Sequence, residues 1–424
     1  MKQQIVTALD IGSSNVRVVI AVGSKNGEIE IKGIGETAVD GMDKGIVKDI
    51  EAVSSCLKTA FAEAEQNAKC KAQNIYANIS GEHIKTHESI GRISIPGSHT
   101  NEPGEILPEH VEQVIEDAKK SLKIQKGFER LRILHGIPQS FEIDGQGDIR
   151  NPVNMNGFHL TAHVLSVFAD INTLRNLTKC IELAGYQIEP ENFILNHLAV
   201  AQAVLTDDEK NLGCLLMDFG GGTCDLALYN KGAILKLIVI PMAGNAISRD
   251  LAIGLKTTVA NAELIKSEYG VAIADRTEKE KVVNVDGISG RTGVTKSQYL
   301  ISQIIQHRLD DILALCYNEA VTIVPTELIT AGVVLTGGIA NLKEIDSLIA
   351  ETFNMPVKPA KPDVSGFSGS TLRLEDHAFA TVVGLLRFGF EAGQSGKSST
   401  TRIRTGTNIN LIEKTKKFIK DIVS

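Results

Sequence analysis

One motif occurs twice in this chain, about half the chain apart, and it limits the possible folds more than any other feature. LDIGSSNVRVVI begins at Leu9 and MDFGGGTCDLAL at Met217. In each, a short apolar run reaches an aspartate, Asp10 or Asp218. It then passes a turn rich in Gly and small hydroxyl residues and resumes as a second apolar run. That texture is a β-hairpin with a glycine turn. Glycine lets backbone N–H groups come close enough to cradle phosphate oxygens, so Gly12, Ser13, Ser14 and Asn15 form one candidate clamp. Gly220, Gly221, Gly222 and Thr223 form the other. Mg²⁺ prefers to keep several waters and take one or two protein carboxylates, a role that suits Asp10 and Asp218. A lone DxGS turn is a weak signal, but DFGGGT has three consecutive glycines that a structural hairpin does not need. Two such hairpins in register predict two similar domains closing on one triphosphate.

Composition narrows the class. At ~100–200 residues per domain, 424 residues make two to four domains. With 43% hydrophobic and 22% charged residues the chain has an ordinary globular balance. The net charge of −7 argues against a basic nucleic-acid binder, and the lack of Trp argues against base-stacking platforms. Six cysteines (Cys56, Cys70, Cys180, Cys214, Cys224 and Cys316) are scattered without a CxxC pair. They read as reduced thiols, neither a disulfide frame nor a zinc site. No leader-like h-region and no run of ~18 apolar residues is expected from the sequence.

Along the chain, IVTALDIG, VRVVIAVG and EIEIKGIGE read as consecutive antiparallel strands. Asp49 to Lys69 has helical spacing, and QNIYANISG is another strand. From Glu82 to about His163 the texture changes to an inserted α+β unit around the helix HVEQVIEDAKKSL. Helices are expected over Asn172–Ala184 and Asn196–Leu205. The hairpin pattern restarts at Asn211, and KGAILKLIVIPMAG continues that sheet. Helices dominate from Ile247 to about Ala320, broken near VVNVDGISGRTG. GVVLTGGIAN is a buried strand and turn, followed by the helix LKEIDSLIAETF. HAFATVVGLLRFG is the last helix of the body. Residues 391–408 read as a Gly, Ser and Thr rich linker.

Two further elements agree with a nucleotide site. In GVVLTGGIAN, Gly337, Gly338 and Ile339 lie at a turn flat enough to face a base or ribose. In NAELIKSEYG, Glu263 and Lys266 are i, i+3 on one helix face, placed for ribose hydroxyls and the adenine edge. Taken alone, that pair reads as a surface ion pair, and the glycine motifs around it reverse that reading. Cys224 is expected to be a small buried residue. His83, His87, His99, His135, His159 and His163 lack metal-ligand spacing and read as structural or surface groups.

These motifs resemble the actin, heat-shock-chaperone and hexokinase ATPase superfamily. LDIGSSNVRVV is similar to its first phosphate loop, LLMDFGGGTCDLAL to its second and GVVLTGGIAN to its adenosine loop. FILNHLAVAQAVL and HAFATVVGLLRFG are similar to its two hinge helices. Longer stretches, including LRILHGIPQSFEIDGQGDIRNPVNMNGFHLTAHV and IPMAGNAISRDLAIGLKTTVANAELIKSEYG, closely resemble the FtsA family of bacterial cell-division proteins. The resemblance implies an α/β, actin-like ATPase fold of two duplicated domains around a nucleotide cleft, with an inserted α+β subdomain (1C) and a C-terminal amphipathic helix. The boundaries would be 1–81 and 164–210 for subdomain 1A, 82–163 for 1C, 211–245 and 321–390 for 2A with the return helix to 1A, and 246–320 for 2B. A linker over 391–408 and a helix over 409–424 would follow. Gly244 and Asn245 join the expected nucleotide contacts, with ATP and Mg²⁺ as cofactors. Gln202 falls where relatives orient the attacking water, though it is equally a polar helix residue near the hinge. Asn15 replaces the lysine that many relatives carry beside the phosphates, which implies slow hydrolysis and a nucleotide used as a switch.

The resemblance also implies partners: the acidic-hydrophobic tail of the tubulin-like FtsZ, other copies in filaments, later division proteins at 1C, and anionic lipid at the cytoplasmic face of the inner membrane at the septum. Arg308 matches the surface of 2B that binds the FtsZ tail, with a solvated helix charge as the plainer reading. At ~100° per residue, Leu411, Ile412, Phe418, Ile419, Ile422 and Val423 share an arc of about 140°. Lys414, Lys417 and Lys420 lie outside it. From Glu391 onward the chain has seven basic and three acidic residues, so the body before it is the more acidic part. A cationic, amphipathic segment behind a linker of ~20–25 Å reach suits a membrane surface better than docking on its own domain. Rivals within the superfamily are a sugar or acetate kinase, a chaperone ATPase, the pilus-assembly adaptor PilM and an MreB-like filament protein.

Overall fold

The computed structural model describes residues 4–23, 28–97, 102–122, 129–288, 291–321 and 326–394. Among these, ten α-helices run in order: α1 (Ile50–Ala68), α2 (Pro108–Leu122), α3 (Ile171–Leu183), α4 (Asn196–Val204), α5 (Asp207–Leu212), α6 (Gly244–Leu255), α7 (Val259–Tyr269), α8 (Gln298–Val321), α9 (Ile345–Phe353) and α10 (Ala380–Gln394).

The duplication seen in the sequence is a duplication of sheets. In the first half the strands lie in the order Phe193–Leu195, Ile75–Ile79, Gln4–Ile11, Asn15–Gly23, Ile29–Ala38, with Phe367–Gly369 added at the edge. In the second half the order is Val357–Pro359, Val333–Thr336, Cys214–Phe219, Cys224–Asn230, Ala233–Ile240. Each half therefore has the same plan. A hairpin pairs antiparallel with a third strand on one side and parallel with two strands on the other. The register also repeats: Asp10 faces Arg17 across the first hairpin and Asp218 faces Asp225 across the second. The central strands are buried along most of their length, as parallel-sheet neighbours covered on both faces must be.

Local chemistry accounts for the helices that support these sheets. Asp49 caps α1 by accepting from the N–H groups of Glu51 and Ala52. Its stripe of Val53, Leu57, Ala60, Phe61 and Ala64 is buried against the first sheet. Both faces of α10 are covered, with Val382, Val383, Leu385, Leu386, Phe388 and Phe390 all in the core. It packs against α4 where a Cβ at Gly384 would collide with the Ala199 carbonyl oxygen, so only glycine permits that crossing. The long α8 buries Ile301, Ile305, Leu309, Ile312, Leu313 and Cys316 in the second half's core.

The insert is an antiparallel sheet in the order Gln146–Ile149, Leu131–Ile143, His159–Asp170, Lys85–Ser94, with α2 on one face. Its own core gathers Ile106, Val111, Val114, Ile115, Phe141, Leu160 and Val164. The sequence boundary at His163 falls inside the strand His159–Asp170, whose pairing with Leu131–Ile143 continues to Asp170. The last helix of the body also outruns its expected end. α10 continues through 391–394, so the linker cannot begin at Glu391. The break near VVNVDGISGRTG is a two-stranded ribbon, Val282–Val285 with Val294–Ser297. The C-terminal residues from Leu411 to Val423 lie outside the described residues.

Candidate functional site

The two hairpin turns close in the same way. Gly12 N donates to Asn15 O at 3.1 Å, and Gly220 N donates to Thr223 O at 3.0 Å. They face each other across a cleft between the halves and nearly touch. Ser14 Oγ donates to Asn245 Oδ1 at 2.7 Å, and Asn245 Nδ2 donates to Ser13 O at 3.1 Å. Asn245 is held in turn by its own N–H on Gly221 O, at 2.7 Å. A Cβ at Gly221 would strike the Ser14 hydroxyl, one at Gly222 the Ser13 hydroxyl, and one at Gly337 (φ 87°) the Asp218 carboxylate. The glycines thus keep backbone exposed where a ligand would approach.

Every nucleotide contact expected from the sequence lines this one cleft: the residues of both turns, Gly244, Asn245, Glu263, Lys266, Gly337, Gly338 and Ile339. Lys266 does so in a different role. Its Nζ donates to Gly244 O (3.1 Å), Ser248 Oγ (2.9 Å) and Glu263 Oε2 (2.7 Å), which uses its three donors on protein. Burial holds its pKa below the usual lysine range, partly offset by the Glu263 carboxylate. Lys266 therefore fixes the start of α6, while Glu263, half-exposed, lines the cleft with its Oε2 accepting from both Lys266 and Ser248.

At the floor of the cleft lies a polar cluster that the sequence did not single out. Asn196, the first residue of α4, donates through Nδ2 to Asp218 Oδ2 and Asp225 Oδ2, both at 2.7 Å. Its Oδ1 accepts from Thr381 Oγ1 on α10 at 2.9 Å. Asn78 donates to Asp10 Oδ1 at 2.8 Å and accepts from Ile11 N. Ser80 Oγ donates to Asp225 Oδ1 at 2.8 Å, and Arg17 ion-pairs with Asp10 and Glu36. Arg17 and Asp225 were legible in principle, because each lies directly opposite its hairpin's aspartate. Asn78 and Asn196 carry no local signal.

Three aspartates here face one guanidinium. Burial raises Asp10 from the ordinary carboxylate range to about 6, against the opposing pull of Arg17. Burial first, then the Asp225 charge, raises Asp218 to about 7. A crowded set of hard oxygen donors with excess negative charge fits a hydrated divalent cation, which would favour the ionised forms. Among the described residues no group of three His, Cys, Asp or Glu could hold a metal ion directly, so Asp10 and Asp218 are candidates to hold such a cation only through its waters.

Gln202 does not belong to the site. It lies six residues past Asn196 on α4, roughly 9 Å along the axis at 1.5 Å per residue. Its Nε2 donates to Glu391 Oε1 on α10 at 3.0 Å, and it does not line the cleft. The water-positioning assignment to Gln202 is therefore corrected, and Asn196 is the polar α4 residue that reaches the cleft. Arg308 is far from free: Nε meets Asp250 Oδ2 at 2.5 Å and Nη1 meets Asp311 Oδ2 at 3.2 Å. Cys224 is buried, with its sulfur 3.8 Å from that of Cys316, and burial pushes its thiol far up. His163 pairs with Glu142 at 2.7 Å, and His83 and His135 are pushed down to about 4 by burial. His99 lies outside the described residues.

Comparison with known proteins agrees with the geometry. Residues 215–384 match the family described as "Cell division protein FtsA", and residues 81–168 match "SHS2 domain inserted in FTSA". The cell division protein FtsA of Pseudomonas aeruginosa is 33% identical over 395 residues, covering 93% of this chain and 91% of that protein. The protein of the same name from Escherichia coli K12 is 31% identical, covering 94% of each chain. Among solved structures, a PilM-PilN type IV pilus biogenesis complex aligns with a TM-score of 0.63 at 15% identity, over 91% of this chain and 98% of that one. MreB5 of Spiroplasma citri bound to AMPPNP aligns at 0.53 and 16% identity, over 93% and 98%. At such identities these structures establish the actin-like fold alone, whereas the sequence relatives extend across insert and both halves. On that ground the chain belongs to the FtsA family of cell-division proteins.

Proposed function

We propose that this protein binds Mg·ATP in the interdomain cleft and uses it as a switch in an adaptor. The adaptor holds the FtsZ ring at the inner membrane, assembles with other copies of itself, and recruits later division proteins through the insert. The observation that carries the nucleotide reading is the meeting of two equivalent glycine hairpins, linked by Asn245, above the cluster of Asp10, Asp218 and Asp225. The turn N–H groups would hold phosphate oxygens, Asp10 and Asp218 would hold the hydrated cation, and Glu263 would receive ribose hydroxyls. A bound Mg²⁺ would supply charge neutralisation for the phosphates. Asn196 would orient a water or the cation's shell. Arg17, a cation lining the cleft beside the first turn, is already paired with Asp10 and Glu36, which supports slow hydrolysis.

The tether reading rests on the apolar and lysine faces of 409–424. Six large apolar side chains at ~1.5–3 kcal/mol each when fully buried, about half-buried at an interface, supply several kcal/mol. Lysines near anionic lipid add ~1 kcal/mol each. Arg308, part-exposed where α8 meets α6, is the cation offered to an acidic FtsZ tail, which would have to compete with Asp250 and Asp311. The subdomain limits 246–320 for 2B and 321–390 for 2A belong to the same proposal. Sedimentation with anionic liposomes and Mg·ATP tests the tether, comparing the full chain with one ending at Gln394. The full chain is expected to pellet and the shortened one to stay soluble. Equal binding by both would end the tether reading and leave the ATP site standing.

A further inference from the structure

The start of α4 is held by three different parts of the molecule at three consecutive residues. Leu195 N donates to His135 Nε2, on the insert strand Leu131–Ile143, at 3.0 Å. Asn196 bridges Asp218 and Asp225 in the cleft. His197 bonds Ile238 O, on the second half's sheet, at 2.9 Å. Leu195 is the N-cap of α4 and its side chain makes no capping hydrogen bond, so the insert's imidazole ties the residue just before Asn196. No described residue between 81 and 170 lines the cleft, so the described part of the insert reaches it only through α4 and the strand before it.

We infer that His135 is a positioning residue of the cleft, supplied by the insert. By holding the Leu195 N–H it fixes the Asn196 amide between the two aspartates. It thereby couples the insert's seating to the bound nucleotide.

Three observations carry this. His135 is 1% exposed, and Nδ1 has no hydrogen-bond partner among the described residues, a feature that a side chain kept for packing would not need. Burial, with the Lys119 ammonium beside it, keeps the ring neutral at ordinary pH, and the Leu195 N–H aimed at Nε2 requires the tautomer in which Nε2 accepts. The contact is rigid: Ile137, Leu165 and Val167 of the insert share one apolar core with Leu195, Leu198 and Leu237. Coupling of this kind is reciprocal, so whatever binds the insert and shifts it would also change nucleotide affinity.

The inference rests on the reading of the cleft as a Mg·ATP site. The test is calorimetric titration of Mg·ATP into the full chain, as wild type, His135→Leu, His135→Gln, Asn196→Ala and the His135→Leu, Asn196→Ala pair. Loss of the acceptor in His135→Leu is expected to weaken binding about tenfold. Gln, which can still accept from Leu195, should restore it to within about threefold. On the Asn196→Ala background, His135→Leu should add less than about twofold, because the two act through one path. Wild-type affinity in His135→Leu, or additive losses in the pair, would overturn the inference. Should His135→Leu fail to fold, amide exchange on the native chain decides. Mg·ATP should slow exchange over 131–143, and unchanged exchange there would overturn it. A wild type that does not bind Mg·ATP removes the cleft reading and this inference together, whereas binding with a silent insert removes this inference alone.

Discussion

Asp10 and Asp218 carry a cost that a structural aspartate would not. Each folded-state pKa lies above the free value of 3.8, at about 6 and about 7. A raised carboxyl favours the folded state fully below pH ~4, and that contribution is lost as pH rises through the folded value. Asp218→Asn should therefore raise the thermal stability of the nucleotide-free protein at pH 8, by on the order of 2–4 kcal/mol. It should also flatten the decline relative to wild type between pH 4 and 7, while abolishing magnesium-dependent ATP binding. Melting curves across pH check the first part and calorimetry the second, and a less stable variant at pH 8 would contradict the charge-crowding account. Asn196→Ala should weaken ATP binding about tenfold or more by freeing two carboxylates from a shared donor. Residues like Asp10, Gly221 and Gly337 were legible because turn chemistry is local. Asn78 and Asn196 were not, because their roles exist only once separate strands and helices meet. Gln202 misled for the same reason: a helical residue's distance from the cleft is a matter of packing, and α4 has turned nearly twice before reaching it.

At the scale of elements, the helices expected from the sequence at α1, α2 and α3 fall within a residue or two of those observed, because each has a clear buried stripe. Boundaries were less legible where one strand serves two units. His159–Asp170 begins in the insert and ends as the N-cap of α3 through Asp170, so no change of texture marks the join. The α4–α10 pair meets at one tight crossing, next to the Asn196–Thr381 hydrogen bond. Gly384→Ala would place a methyl on the Ala199 carbonyl and force the helices apart. Overpacking of this kind costs ~1–3 kcal/mol, so the melting temperature should fall by several degrees, with weaker ATP binding as Asn196 and Thr381 are pulled apart. An unchanged melt would show that the crossing has slack.

For the whole molecule, two predictions concern surfaces. Arg308→Glu should reduce binding of an acidic FtsZ-tail peptide severalfold, measured by fluorescence anisotropy, while leaving ATP affinity unchanged. Raising salt from 0.05 to about 0.5 M should weaken lipid binding of the full chain, since exposed charges are screened over ~10 Å or less. The sequence alone determined the two hairpins, the repeat that demanded two like domains, the cationic end and the family. Each of these is written in contiguous residues whose backbone freedom, periodicity or charge acts locally. The tertiary structure alone decided that the two sheets share one strand order, that Asn196 rather than Gln202 faces the cleft, that Lys266 and Arg308 are already paired, and that the insert grips α4. Those facts depend on which groups are brought together across long separations, and burial, desolvation and hydrogen-bond partnership are properties of that meeting.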